Sequence, residues 1–181
     1  MIHDPVLLEK LDALPKEQFD GEVYRATRQN LDPLVASYNG GRWMVRDAAA
    51  VLYTSLARDG ALAEIVFHWS QLDPMPTKPV VVHTLRVAAK RTLRLIRARI
   101  AELGVGEGDY GAVNLPRTQE IGAAAEFLGC DGIIAPSARW PCDNLMLFPE
   151  RLADDVALTL VGSEVVDWRA WGAARGFLTA G

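Results

Sequence analysis

In the middle of the apolar helix suggested by "VLYTSLARDGALAEIVFHW" (Val51 to Trp69) sits one acid, Glu64. A carboxylate is costly to bury without a partner, so an acid there needs a solvent-facing side, a cationic partner or a chemical role. Leu62, Ile65, Val66 and Trp69 recur at i, i+3, i+4 and i+7 and form a core stripe. At about 100° per residue, Glu64 falls nearly opposite Leu62, on the side shared by Gly60, Phe67 and His68. A glycine, an aromatic ring and an imidazole stand where lysine, arginine or glutamine would be usual. The pattern describes a helix walling a cleft with one carboxylate projecting into it, and a surface Glu–Arg pair is the alternative.

Two arginines and a serine sit beside apolar segments in a comparable way. In the strand "EVYRAT", alternation sends Tyr24 and Arg25 to opposite faces. In "YNGGRWMV", two glycines allow a bend or close approach directly before Arg42. Guanidinium planes match phosphate oxygens two at a time, so Arg25 and Arg42 could clamp a pyrophosphate; a structural salt bridge is the competing account for each. "APSARW" ends a buried strand in a Pro-Ser loop that would expose the Ser137 hydroxyl, although taken singly it is an ordinary turn.

The elements that must position these residues alternate in type. A short helix is expected near Val6–Leu14, then the strand "EVYRAT", a long loop, and the strand "AVLYT" leading into the Glu64 helix with Thr54 or Ser55 as N-cap. The strand "VVVHTLRV" follows, then a helix "AAKRTLRLIRARIAEL" (88–103) and a Gly-rich loop "GVGEGDYG". A helix "TQEIGAAAEFLG", strands "GIIA", "NLMLF" and "VALTLVGSEVV", and a helical "DWRAWGAARGF" complete the chain. Short strands with irregularly placed helices indicate a single α+β domain with a mixed β core flanked by helices.

Composition narrows the function. The 181 residues carry a formal net charge of -4 and are 50% hydrophobic, values of a soluble globular protein. A general nucleic-acid binder would be basic. Lys90, Arg91, Arg94, Arg97 and Arg99 form a basic run, but Leu93, Ile96, Ile100 and Leu103 at helical spacing make its other side a core face, so direct nucleic-acid binding is not expected. The N-terminal segment lacks the features of a secretion signal and no run is long enough to span a bilayer, so a cytoplasmic location without membrane contact is expected. Cys130 and Cys142 are read as free thiols, and His3, His68 and His83 form no metal-ligand pattern, so no metal is assigned. "GVGEG" follows a helix and lacks the remainder of a dinucleotide fingerprint.

Taken together and in order, these pieces resemble the RES-domain family, named for an arginine, a glutamate and a serine. The three are Arg25 in "YRAT", Glu64 in "ALAEI" and Ser137 in "APSAR". "GGRW" with Arg42, "VLYTS" with Tyr53, "TQEIG" and "NLMLF" with Asn144 extend the match from about Gly21 to Phe148. Met44 departs from the pattern, where the family commonly has asparagine. The expected organisation is an N-terminal helical extension over residues 1–20 and one RES domain over 21–181.

The resemblance implies an ADP-ribosyltransferase-like fold and a toxin of a bacterial toxin-antitoxin pair, held in an inhibitory complex by an Xre-like antitoxin that covers the site. It implies NAD+ as substrate, with no separate cofactor. Glu64 would stabilise the positive charge that develops on the ribose as nicotinamide leaves. Tyr53 would stack on the cationic ring. Arg25 and Arg42 would hold the diphosphate or orient the ribose; Ser137 would bond the nicotinamide amide or position Glu64, and Asn144 completes the substrate-binding set. Water, phosphate or a protein side chain could accept the ADP-ribosyl group. The first expectation is an NAD+ glycohydrolase or phosphorylase; the alternatives are a mono-ADP-ribosyltransferase acting on a cellular protein and a catalytically silent binding module.

Overall fold

The computed structural model describes residues 3–112, 116–152 and 158–178. The helices are α1 (Pro5–Asp12), α2 (Arg58–Ser70), α3 (Arg97–Glu102), α4 (Pro116–Phe127) and α5 (Trp168–Ala174). The strands are β1 (Lys16–Arg28), β2 (Leu52–Ser55), β3 (Val80–Arg94), β4 (Gly132–Pro136), β5 (Asp143–Leu147) and β6 (Leu158–Val166). All six strands form one mixed sheet, confirming the α+β expectation. Among the described residues no helix is long and apolar enough to cross a membrane.

The sheet nearly closes on itself. β1 runs antiparallel to β3 from Lys16↔Leu93 to Arg28↔Val80. β3 lies parallel to β4, β4 antiparallel to β5, and β5 antiparallel to β2. β2 returns to β1 through the single partnership Tyr24↔Ser55, and β6 extends the other edge of β3. Strands that meet at one point must diverge on either side of it. A crevice opens between β1 and β2, and α2 with the long 29–51 connection forms its walls.

Burial explains the local choices. Leu7 and Leu11 of α1 pack in one cluster with Trp43, Ile121 and Met146, and β1 runs straight through the boundary expected at residue 21. Asp4 caps α1 by accepting the Val6 N–H, and Lys16 Nζ closes its other end on the carbonyls of Leu11, Asp12 and Leu14. Under α2 and α5, Leu62, Val66 and Trp69 pack with Trp168, the two indole rings edge to face at 5.2 Å.

Two expectations are corrected. The helix over residues 88–103 is instead the second half of β3 followed by the short α3. Thr92, Leu93 and Arg94 pair with Gly132, Ile133 and Ile134 of β4, while Lys16 and Glu17 of β1 lie on the other side. Two waiting strand edges outweigh a helical spacing, and Ile96, expected on the core face, is 61% exposed. The N-cap of α2 is Ala57 rather than Thr54 or Ser55. Those two residues belong to β2: Thr54 Oγ1 donates to Leu145 O, and the Ser55 hydroxyl meets Cys142 Sγ.

His83 joins three strands. Its Nε2 lies 2.9 Å from Thr27 Oγ1 on β1 and its Nδ1 lies 2.7 Å from Ser163 Oγ on β6, with the residue 6% exposed. Burial, assisted by the Arg25 charge, holds its pKa below the ordinary imidazole value. The folded chain therefore binds fewer protons here than the unfolded one, so stability is full above the unfolded value of about 6.5 and falls as pH drops below it. The melting temperature is expected to fall between about pH 7 and about pH 5, and less steeply in His83→Gln. Equal slopes in thermal denaturation would place the titration elsewhere.

Candidate active site

A cavity of about 510 Å³ fills the crevice between β1 and β2, within the range of about 300–1,000 Å³ usual for ligand pockets. α2 contributes Ala61, Glu64, Ile65 and His68, at i, i+3, i+4 and i+7. Ile65 packs against the core cluster of Leu62, Val66 and Trp69, as its place in the stripe predicts, and also borders the cavity. Among the described residues Glu64 is the one acid on the wall, against three arginines, Arg25, Arg42 and Arg139.

The Glu64 carboxylate is held by donors from two other elements. Its Oε1 accepts from Ser137 Oγ at 2.8 Å and from Asn144 Nδ2 at 2.9 Å. The Ser137 hydroxyl has no freedom left. Its oxygen already accepts the N–H groups of Arg139 (3.0 Å) and Trp140 (3.2 Å), so both lone pairs are engaged and its one proton must go to Glu64. Ser137 is 5% exposed and reaches the cavity only through Glu64. Of the two roles left open for it, positioning the carboxylate fits this geometry. Asn144 is oriented by the same acid, and its Oδ1 is the only buried side-chain polar atom without a partner among the described residues. An orphaned acceptor costs roughly 1–3 kcal/mol, a cost that turning the amide would transfer to Glu64 by setting oxygen against oxygen.

The loop carrying Arg42 is held from below. Gly40 has φ +75°, and a Cβ there would meet Arg46 N at 2.7 Å; a Cβ on Gly41 would meet Tyr53 Oη at 2.6 Å. Met44, at the departure from the family pattern, closes this turn through mutual backbone bonds with Gly41 and buries its side chain in the core. From α4, Thr118 Oγ1 donates to Arg42 O at 2.6 Å and Gln119 Nε2 to Gly41 O at 2.9 Å. Gly122 lets the Trp43 carbonyl settle onto the helix. The "TQEIG" segment is thus a cradle for the arginine loop.

Electrostatics follow from these placements. Arg25 Nη1 donates to Pro33 O and Val35 O, tying the 29–51 connection to β1, and burial lowers its pKa. Arg42 Nη1 donates to Tyr110 O at 2.5 Å and its guanidinium stands over the Tyr110 ring. Burial pushes the Tyr53 phenol up to about 12, so it remains protonated at neutral pH, and its oxygen receives the Trp43 N–H. His68 stands at the rim, its pKa lowered by the wall behind it and drawn partly back by Glu64.

The RES domain model matches residues 22–170. The chain belongs to the RES domain family. Among solved structures, the M. tuberculosis MbcT-MbcA toxin-antitoxin complex contains a similar chain, with a TM-score of 0.83 and 21% identity over 96% of this chain and 98% of that one. That likeness concerns the fold. Comparison with curated proteins by sequence gave no match.

Within this RES domain, Arg25, Arg42, Tyr53, Glu64 and Asn144 come together on one cavity, with Ser137 directly behind the acid. Sequence reasoning set His68 on the Glu64 side of the helix but left out Arg139 as a wall residue, and Thr118, Gln119 and Tyr110 as supports. Arg139 lay in plain view two residues beyond Ser137. Tyr110 gave no signal, because its role depends on a loop folding across the arginines. A Cβ at Gly122 would meet Trp43 O at 1.6 Å. Gly122→Ala is therefore expected to cost about 2–3 kcal/mol in chemical denaturation, the effect of overpacking against rigid backbone. A neutral result would show that α4 is free to withdraw from the loop.

Proposed function

We propose that this chain is the toxin of a bacterial toxin-antitoxin pair that acts in the cytoplasm by cleaving the nicotinamide–ribose bond of NAD+, as a glycohydrolase or phosphorylase. The observation that carries this reading is the Glu64 carboxylate, fixed at one oxygen by Ser137 and Asn144 inside a cavity whose lining includes three arginines and the rings of Tyr24, Trp43 and Tyr53. No described residue donates to its Oε2, which leaves that oxygen for a ribose hydroxyl or for the cationic carbon that forms when the glycosidic bond breaks.

The protonated Tyr53 offers a ring face to nicotinamide and a phenol to a polar neighbour. Arginines without a carboxylate partner suit the diphosphate. Family membership and the likeness to a chain of a toxin-antitoxin complex support the toxin role and an antitoxin partner. An Xre-like antitoxin would cover the cavity, and the connection that carries Arg42 exposes Val35, Tyr38 and Val45.

Purified protein incubated with NAD+ is expected to release nicotinamide without labelling a protein. Labelling of a target in lysate would instead support a mono-ADP-ribosyltransferase. Glu64→Gln is expected to lower NAD+ cleavage by at least about 100-fold and to abolish toxicity at an unchanged melting temperature. A fully toxic variant would refute the role of the carboxylate.

Asn144→Asp sets a second carboxylate beside the first, and the repulsion raises the pKa of the pair. The acid limb of the pH–rate profile is expected to move up by about one unit or more, with lower activity at neutral pH. An unmoved profile would show that Asn144 does not touch the working acid.

A further inference from the structure

Three arginines line the cavity, and among the described residues none has a carboxylate within ion-pair distance. Of the twelve arginines outside it, seven (Arg58, Arg86, Arg94, Arg99, Arg117, Arg151 and Arg175) pair with acids, while Arg28, Arg46, Arg91, Arg97 and Arg169 do not among the described residues. Buried or half-buried cations left unpaired are costly unless something anionic completes them. Two of the three are also mounted side by side. Arg42 Nη1 donates to Tyr110 O at 2.5 Å, and Arg139 Nη2 donates to the next carbonyl along the chain, Gly111 O, at 2.8 Å.

Each guanidinium is further fixed by a ring. Arg42 stands over Tyr110, and Arg139 lies over Phe67 with its central carbon 3.5 Å from the ring centroid. The two charges sense each other, since Arg42 is among the causes, after burial, that lower the Arg139 pKa. Adjacent carbonyls and flanking rings thus hold two like charges close together across from Glu64. Arg25 is engaged differently, with Nη1 committed to the Pro33 and Val35 carbonyls.

We propose that Arg42 and Arg139 form a paired-guanidinium clamp for the diphosphate of a dinucleotide or ADP-ribosyl ligand, with Arg139 as a binding residue that sets specificity for diphosphate-bearing substrates. The proposal deepens the NAD+ reading and rests on it for the identity of the ligand. A diphosphate spreads its charge over two phosphoryl groups and meets two forks better than one. The arrangement also orders the cavity, with the clamp at the carbonyls of Tyr110 and Gly111 and the scissile end at Glu64.

The test measures binding of ADP-ribose and of nicotinamide riboside, which lacks the diphosphate, by calorimetry to the wild-type protein, Arg139→Met and Arg139→Lys. Methionine preserves an apolar contact with Phe67, and lysine keeps the charge without the fork. Arg139→Met is expected to weaken ADP-ribose by about 10–100-fold and Arg139→Lys by less, with nicotinamide riboside changed by less than about twofold. If Arg139→Met does not fold, Arg139→Lys carries the comparison. Unchanged ADP-ribose affinity in the variants, equal weakening of both ligands, or no ADP-ribose binding by the wild-type protein would each overturn the clamp. The two proposals fail separately. ADP-ribose binding with the expected Arg139 dependence, but no NAD+ cleavage, would refute the enzyme and leave the clamp; NAD+ cleavage with an Arg139→Met KM like that of the wild type would do the reverse.

Discussion

The hydrogen bond from Ser137 Oγ to Glu64 Oε1 draws together the elements of the site. A serine hydroxyl has one proton and two lone pairs, and in the loop after β4 both lone pairs are taken by the amides of Arg139 and Trp140. The proton therefore has one destination, the acid on α2. Asn144 on β5 adds a second donor to the same oxygen. Thus α2, the β4–β5 loop and β5 converge on a single carboxylate oxygen. Among the described residues Asn144 Oδ1 has no partner, so the amide's one side-chain bond is the one to the acid.

Sheet geometry supplies the room. Because β1 and β2 share only Tyr24↔Ser55, the strands splay and leave a crevice that α2 roofs with its Ala61, Glu64, Ile65 and His68 face. Charge is arranged around that crevice in layers. Backbone carbonyls at Pro33, Val35, Tyr110 and Gly111 fix the guanidiniums without neutralising them. The guanidiniums keep their charge, and the acid is steadied by neutral donors. A Glu–Arg pair, the plainer account of Glu64, would have cancelled both charges.

The chain's own pattern revealed much of this. The spacing around Glu64 placed the acid away from Leu62, Val66 and Trp69, and the structure leaves it on a cavity wall. The strands around Arg25, Tyr53, Ile133 and Leu145 were legible from β-branched and apolar runs between turn residues. Residues 88–94 were not, because a 3.6-residue and a 2-residue period fit the same few apolar positions, and the deciding partners Lys16, Glu17 and Ile133 are far away in sequence. Ile65 packs on the core and also borders the cavity: a helix wheel gives directions but does not show that one neighbour is empty space.

By itself the sequence determined the α+β class, the identity of the acid, and the order of the family's motifs, since these rest on residue type and local periodicity. Only the tertiary structure decided that Ser137 bonds Glu64 from behind the wall, that α4 cradles the Arg42 loop, and that Arg139 and Arg42 are held on adjacent carbonyls. Each depends on hydrogen bonds between residues tens of positions apart, whose directions are set by how the sheet closes and the loops cross. Residue types establish what a side chain can donate or accept, while the fold alone chooses the partner.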